Sequence, residues 1–275
     1  MNKLGTADRV RVIAALVEGC SIRATVRMTG VAKNTVIKLL VDLGTKCAEY
    51  HDDHVRNVHS KRIQVDEIWS FCYARKANVP AAKRDQFGYG DVWTWTAIDA
   101  DSKLIVSYLV GARDTGYATE FLGDVATRLS DRVQLTSDGL KSYFAAMPDA
   151  FGNDVDYAAL VKIYGKPFGS KSRPDVPDVC LGARKTPVIG NPDPAHISTS
   201  YVERQNLTMR MGMRRFTRLT NAFSKKIENH AHSVALHFMH YNFCRVHTTL
   251  RVTPAMEAGL TDHVWGLEEL VGLLD

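Results

Sequence analysis

The sequence predicts an α/β protein, a mixed β-sheet flanked by helices and preceded by a short all-helical segment. Three observations carry this. The first sixty or so residues space their apolar side chains at helical intervals. From Ile63 the pattern changes to alternating runs rich in branched and aromatic residues. Helical and strand patterns then alternate along the chain, the signature of helices packed on both faces of a sheet.

In the front segment, Val10, Ile13, Ala14 and Val17 mark a helix from Thr6 to Glu18, stopped by Gly19. Ser21 is a good N-cap for a second helix, Ile22 to Thr29. Gly30-Val31 makes a tight turn, and a third helix starts near Lys33 and buries Val36, Leu39 and Leu40. Two short helices joined by a turn containing Gly form the helix-turn-helix pattern, whose second helix enters the major groove with its N-terminal side chains. Here those are Lys33, Asn34, Thr35 and Lys38.

Residues 43–62 read as a polar connector, a solvated helix with His51, His54 and His59. Cys47, His51 and His54 lack a fourth partner at a zinc-site spacing.

The strand region begins with IQVDEIWSF, followed by VWTWTAID (92–99) and LIVSYLV (104–110), an antiparallel meander turning at Asp99 to Ser102. A helix follows with Ala118, Phe121, Leu122, Val125 and Leu129 on one face, then a short strand, Val133 to Thr136, ending at Ser137-Asp138-Gly139. A helix from Leu140 to Ala146 and a last strand over Ala159 to Ile163 complete the expected core. Residues 165–198, dense in Pro and Gly, read as an insertion or long loop, and helices dominate after Ser200. Three strands, a helix, a strand, a helix and a strand is the ribonuclease-H-like order. The expected units are 1–45 helix-turn-helix, 46–62 linker, 63–250 core and 251–275 C-terminal helical segment.

Composition narrows the function classes. Of 275 residues, 45% are apolar and 24% charged, the balance of a globular protein. No run approaches the roughly 18 apolar residues of a membrane span. Asp8 and Glu18 interrupt the apolar patch at the N-terminus, which does not read as a secretory signal. The five cysteines form no CxxC pair, which argues against a disulfide framework and fits a reducing, cytoplasmic setting. Eleven basic residues face six acidic ones up to Gln64. A second basic stretch, Arg204, Arg210, Arg214, Arg215, Arg218, Lys225 and Lys226, faces Glu203 alone. Such clusters suit a polyanion, or form solvated faces.

The carboxylates bear on chemistry. Asp66 sits inside the first strand beside Val65 and Ile68 and needs a partner or a metal. Asp138 follows the fourth strand, where open α/β sheets bind ligands. Glu203 lies in the first turn of a helix beginning at Ser200. First and fourth strands are neighbours in the ribonuclease-H-like order, so Asp66 and Asp138 are expected to meet, with the later helix beside them. Three such oxygens suit magnesium, or manganese in its place, as a pair of ions. Each acid also has a structural reading. Asp138 can form a turn, Glu203 can complete a capping box with Ser200, and Asp66 can pair with an Arg. Helical periodicity puts Glu203, Arg210 and Arg214 on one stripe, and Val202, Met209 and Met213 on an apolar face beside it. His230, His232, His237, His240 and His247 read as packing or phosphate-contacting residues rather than ligands.

VDEIWSF around Asp66, LTSDGLKSY around Asp138, and STSYVERQNLTMRMGMRRFTRLTNAFSKK around Glu203 resemble bacterial insertion-sequence transposases of the DDE superfamily, most nearly the insertion-sequence-one family. HYNFCRVHTTLRVTPAMEAGL is similar to the tail after such catalytic cores. The resemblance covers roughly residues 60 to 260. It implies a magnesium-binding triad of Asp66, Asp138 and Glu203, with Arg210 the basic residue two turns after the Glu. It also implies partners, namely double-stranded DNA as terminal inverted repeats and target, and a homodimer or larger assembly on a bacterial nucleoid. A nuclease without strand transfer and a transposase-derived repressor are the alternatives. The zinc ribbon often found at the front of that family is absent from this sequence, so end recognition would rest on the helix-turn-helix or on other surfaces.

Overall fold

The structure is a computed structural model that describes residues 4–84, 86–166, 179–217 and 220–275. Its six-stranded sheet has the order β3-β2-β1-β4-β5-β6, with β1 Arg62–Cys72, β2 Gly90–Asp99, β3 Ile105–Gly111, β4 Val133–Ser137, β5 Val155–Gly165 and β6 Val179–Ile189. β1, β2 and β3 are antiparallel neighbours, while β4 runs parallel to β1 and β5 parallel to β4. This is the ribonuclease-H-like arrangement that the order of elements predicts. The turn from β2 to β3 is organised by buried Asp99, which accepts from Ser60 Oγ (2.8 Å) and from the backbone and hydroxyl of Ser102 (3.1 and 2.5 Å).

Strand alternation divides the core. On one face Val65, Trp95, Ala97 and Val106 pack with Phe121 and Leu122 of α4 (Thr115–Arg128) and Tyr143 and Met147 of α5 (Lys141–Phe151). On the other, Ile68, Ile98 and Ile105 pack with Val202 and Met209 of α6 (Ser200–Gly212) and Val234 and Phe238 of α7 (Ile227–Met239).

The front helices are α1 Thr6–Val17, α2 Ile22–Thr29 and α3 Lys33–His54. Ser21 caps α2 by accepting from the Ala24 N–H, and Gly30 ends it in the left-handed conformation, φ 73°. The expected solvated connector over 46–62 is corrected here. α3 continues unbroken to His54, so an expected boundary at residue 45 falls inside it. Cys47, His51 and Val55 recur every four residues and are buried, sharing a core with the sheet. His51 Nε2 donates to the Ile105 carbonyl (3.1 Å), and burial, then Arg128, pushes its pKa down to about 4. Arg128 caps the end of α3 by donating to the carbonyls of His51 and Val55 (3.2 and 3.1 Å). The His54 ring bonds the Tyr50 carbonyl instead of converging with Cys47 and His51. α3 and α7 approach closely at Gly44, where a Cβ would lie 2.5 Å from His232 Cβ.

Residues 165–198 are not all loop. Residues 179–189 form β6, an edge strand antiparallel to β5, while 167–178 lie outside the described residues. The side chains of β6 are almost all exposed, so no buried face marks it in the sequence, and Pro187 is tolerated at a sheet edge. β5 is longer than expected and is not the last strand.

After α7 the helix widens into a π-turn over His240–Cys244. This turns buried Asn242 onto β3, where its Oδ1 accepts from the Ile105 N–H (2.9 Å) and its Nδ2 donates to the Ile105 carbonyl (3.0 Å). The C-terminal elements α8 (Pro254–Glu257) and α9 (Leu267–Gly272) return to the front, where Trp265, Leu270 and Val271 are buried in the chain's own core and Val264 remains exposed. Among the described residues no helix is long and apolar enough to cross a membrane.

Asn242→Ala removes both of these bonds; the Ile105 carbonyl keeps His51, but the buried Ile105 N–H is left unpaired. The substitution should destabilise the protein by about 2–3 kcal/mol in urea unfolding with an unchanged m-value. A shift in midpoint no larger than that of a surface control would refute the role given to Asn242.

Candidate active site

The site arises where β4 ends early. β4 pairs with β1 only over Arg62 to Gln64, opposite Gln134 to Thr136. β1 runs on to Cys72 with no strand paired to its β4-side edge between Gln64 and the bridge from Cys72 to Ser224. Asp66 lies on this bare edge, and Asp138 lies just past the end of β4. They meet as the strand order requires, and carboxylate oxygens of Asp66, Glu67 and Asp138 lie within 4.8 Å of one another. Alternation directs Asp66 and Glu67 to opposite faces. With no neighbouring strand between the faces at this level, both carboxylates reach one notch.

Each acid is held. Asp138 Oδ1 accepts from the Leu140 N–H (2.8 Å), so it does form the turn before α5 while facing the cleft. Asp66 Oδ1 accepts from the Glu67 N–H (2.9 Å), and its Oδ2 accepts from Asn206 Nδ2 of α6 (2.8 Å). Glu67 is buried, accepting from Arg113 Nε (2.6 Å) and the Tyr143 hydroxyl (3.0 Å). Burial first, then the neighbouring Glu67, Asp138 and Glu203, pushes the Asp66 carboxyl up to about 7. The Glu67 carboxyl is also raised, by burial and Asp138.

α6 brings the third expected acid. Its first turn is docked onto the sheet by Gln64, whose Oε1 accepts from the N–H groups of Tyr201 and Val202 (2.8 and 3.2 Å). The alternative reading of Glu203, a capping box with Ser200, is not what forms: Thr199 is the N-cap residue, and a side chain from β1 supplies the acceptor. Glu203 Oε1 accepts from Thr199 Oγ1 (2.6 Å), and its other oxygen is paired with Lys162 of β5. Glu203 thus lines the same cleft as Asp66 and Asp138, of about 660 Å³, but stands outside their tight cluster. Arg113, Lys141 and Lys162 supply positive charge along its walls.

The remaining expected residues fall in different places. Lys33, Asn34, Thr35 and Lys38 are exposed on the first turns of α3, with Lys38 paired to Asp42 (2.5 Å). Arg204 is exposed and Arg210 half-buried on α6. The stripe from Glu203 to Arg214 is interrupted, because α6 ends at Gly212 and exposed Arg214 lies on a following 3₁₀ turn. Arg215 turns inward, donates to Ser224 Oγ (2.6 Å), and has its pKa lowered to about 10 by burial. It is half-buried, unlike exposed Arg214. Arg218 lies outside the described residues. His230 is a packed core residue between Ser70 and Ser224, both at 3.1 Å, and stays neutral. The residue missed was Glu67. Its signal was a second acid beside Asp66 in a strand whose one other charged residue is Arg62.

The donor set fits a divalent cation. Carboxylate oxygens at mutual ligand distance, one of them so poorly solvated that it holds its proton to about pH 7, are what a hard oxygen-seeking ion relieves.

No family model matches the sequence, and no curated protein matches it. Among solved structures, a synaptic complex of the piggyBac transposase with hairpin DNA aligns over 98% of this chain and 69% of its own, at 11% identity and a TM-score of 0.42. The strand transfer complex of Mos1 aligns over 86% of this chain and 78% of its own, at 12% identity and a TM-score of 0.26. Neither superposition is close enough to carry an argument, and strand order and site geometry stand on their own.

The raised Asp66 carboxyl makes stability depend on pH. The folded chain keeps a proton that the unfolded chain releases, so stability falls as pH rises from about 3.8 to about 7 and is level above that. In chelator, Asp66→Asn should be more stable than wild type at pH 8, with the advantage vanishing near pH 4. Parallel pH–stability curves would show that Asp66 ionises normally.

Proposed function

We propose that the chain is a DNA transposase of the DDE superfamily, of the bacterial insertion-sequence kind most like the insertion-sequence-one family. It would cleave phosphodiester bonds at element ends and join the 3′-hydroxyl ends to target DNA. The observation that carries the proposal is the cleft in which Asp66 and Asp138 converge and Glu203 stands opposite, on a sheet of ribonuclease-H-like order. The motifs around these three acids support the same reading.

Asp66, Asp138 and Glu203 would hold magnesium, as one or two ions, with manganese as a substitute. When bound, the metal supplies polarisation of the scissile phosphate and a more acidic attacking oxygen. The chain's own groups do the rest. Arg113, Lys141 and Lys162 offset phosphate charge around the cleft. Lys162 is paired with Glu203, and would be available to a phosphate were that carboxylate to hold a cation. Glu67, braced by Arg113 and Tyr143, supports the notch from the opposite face. Cleavage is attack of water on phosphorus with departure of the 3′ oxygen. Joining is attack of that 3′-hydroxyl on a target phosphodiester, with departure of the target's own 3′ oxygen.

Incubating the full chain with labelled element ends and magnesium should give nicked ends and joined products. Asp66→Ala, Asp138→Ala and Glu203→Ala should abolish both while leaving end binding nearly intact. Nicking without joining would make the chain a nuclease, binding without cleavage a repressor, and a variant with wild-type joining would remove that residue from the triad.

DNA contacts should divide between two surfaces. Replacing Arg210 or Arg214 should weaken binding to all sequences and lower the salt slope by about one per contact. Replacing Asn34 or Lys38 should change sequence preference, at about 1–3 kcal/mol each. Uniform loss in both sets would end this division. One cleft per chain and two ends per element require at least two subunits, with twofold symmetry the default. Mass measurement on the end complex should give a dimer or larger, and one chain bridging two ends would refute it.

A further inference from the structure

The face of β1 that carries Glu67 continues away from the acid cleft as a line of aromatic rings set against cations. Glu67, Trp69 and Phe71 are alternate residues and so share that face. Trp93 pairs with Trp69 across the strands. Arg113, bound to Glu67 at the edge of the cleft, lies over the Trp93 ring, 4.6 Å from its centre. The Trp69 ring is 5.8 Å from that of Phe71, and Phe71 is 4.8 Å from Phe223. Lys225 lies 3.8 Å over the outer side of Phe223. The line ends in a second cleft, of about 460 Å³, lined by Phe71, Phe223 and Tyr73. Tyr73 holds a left-handed backbone, φ 67°, and donates its N–H to the Ser224 carbonyl (2.8 Å), which fixes the segment bearing Phe223 beside the end of β1. Phe71 is buried as the floor, whereas Trp69, Trp93, Tyr73 and Phe223 are partly exposed. From Glu67 to Tyr73 the lane runs about 20 Å at ~3.3 Å per strand residue.

We infer that this lane binds an unpaired DNA strand leading away from the acid cleft, its bases stacked on the aromatic rings and its phosphates taken by the flanking cations. Rings paired with ammonium and guanidinium groups suit a ligand that is flat, apolar and anionic at once. An exposed nucleotide is such a ligand, and an apolar protein surface is not. Duplex DNA hides its base faces in its own stack, so the rings select strands that have come apart. The inference deepens the proposed DNA-cleaving function and rests on it for its role, namely to hold a strand separated near the scissile bond.

The test is titration of the full chain in chelator with a ten-residue oligothymidine, followed by tryptophan fluorescence. Oligothymidine should quench the emission and bind more tightly than a duplex of equal length. Trp69→Leu and Phe223→Leu should each weaken oligothymidine binding about tenfold, Trp69→Phe should retain it, and Asp66→Asn should leave it unchanged. Circular dichroism establishes that each variant is folded, and Lys225→Gln, at an exposed side chain, serves should a ring variant fail to fold: it should lower affinity and flatten the salt dependence. Wild-type affinity in the folded ring variants, an unchanged Lys225→Gln, or equal binding of duplex would overturn the lane. Loss of cleavage chemistry with intact lane binding would overturn the transposase reading and leave the lane standing.

Discussion

The side-chain oxygen of Gln64 accepts two backbone N–H groups at the start of α6, and the geometry of the cleft descends from that contact. The first N–H groups of a helix have no partner within it. Here they are met by a buried amide at the last β1 position paired to β4, so the helix start is fixed at the level where β4 gives out. In the same first turn Glu203 faces the cleft, and Asn206 reaches Asp66 from the same helix. The apolar side of α6, through Val202 and Met209, seals onto Ile68 and Ile98 beneath. Polar docking sets the position of the helix along the strand, and apolar packing holds it down.

Against that scaffold the acids are under electrostatic stress. Asp66 and Glu67 are buried side by side with Asp138 adjacent, and the raised carboxyl of Asp66 expresses the cost of ionising it there. Arg113 and Tyr143 relieve Glu67, and Lys162 relieves Glu203, while among the described residues Asp66 meets the Glu67 N–H and Asn206, and Asp138 the Leu140 N–H, all neutral donors. The two acids left to neutral donors are the ones that meet across the notch, and a raised carboxyl in a cleft marks a candidate functional site.

Much of this was legible in the residues. Ser21 and Gly30 announce the bounds of α2, the alternation from Ile63 announces the meander, and the order of elements announces that Asp66 and Asp138 meet. What was hidden had physical reasons. β6 has no buried face to betray it. Glu67 belongs by alternation to the opposite face, and only the early end of β4 lets it join Asp66. Arg215 counts as positive charge in the sequence, but position decides its role, and it is packed against Ser224. The 46–54 stretch looks polar because only every fourth residue is buried, enough for a helix lying on a core. Nothing in the sequence singles out Asn242, which acts as a strand partner through the π-turn.

α3 is one uninterrupted rod from the exposed turn at Lys33 to the carbonyls capped by Arg128 beneath the sheet. At ~1.5 Å per residue its 22 residues span about 33 Å, close to one helical repeat of duplex DNA. Gly44 clamps it to α7, and Gly19 sets the end of α1 against the end of α6, where a Cβ would lie 2.7 Å from the Gly212 carbonyl oxygen. The molecule therefore contains a ruler. The offset and the rotational phase between the front turn and the acid cleft are written into the length of a single helix. Adding one residue to it would advance the front by about 1.5 Å and swing it through ~100°, so length and phase change together.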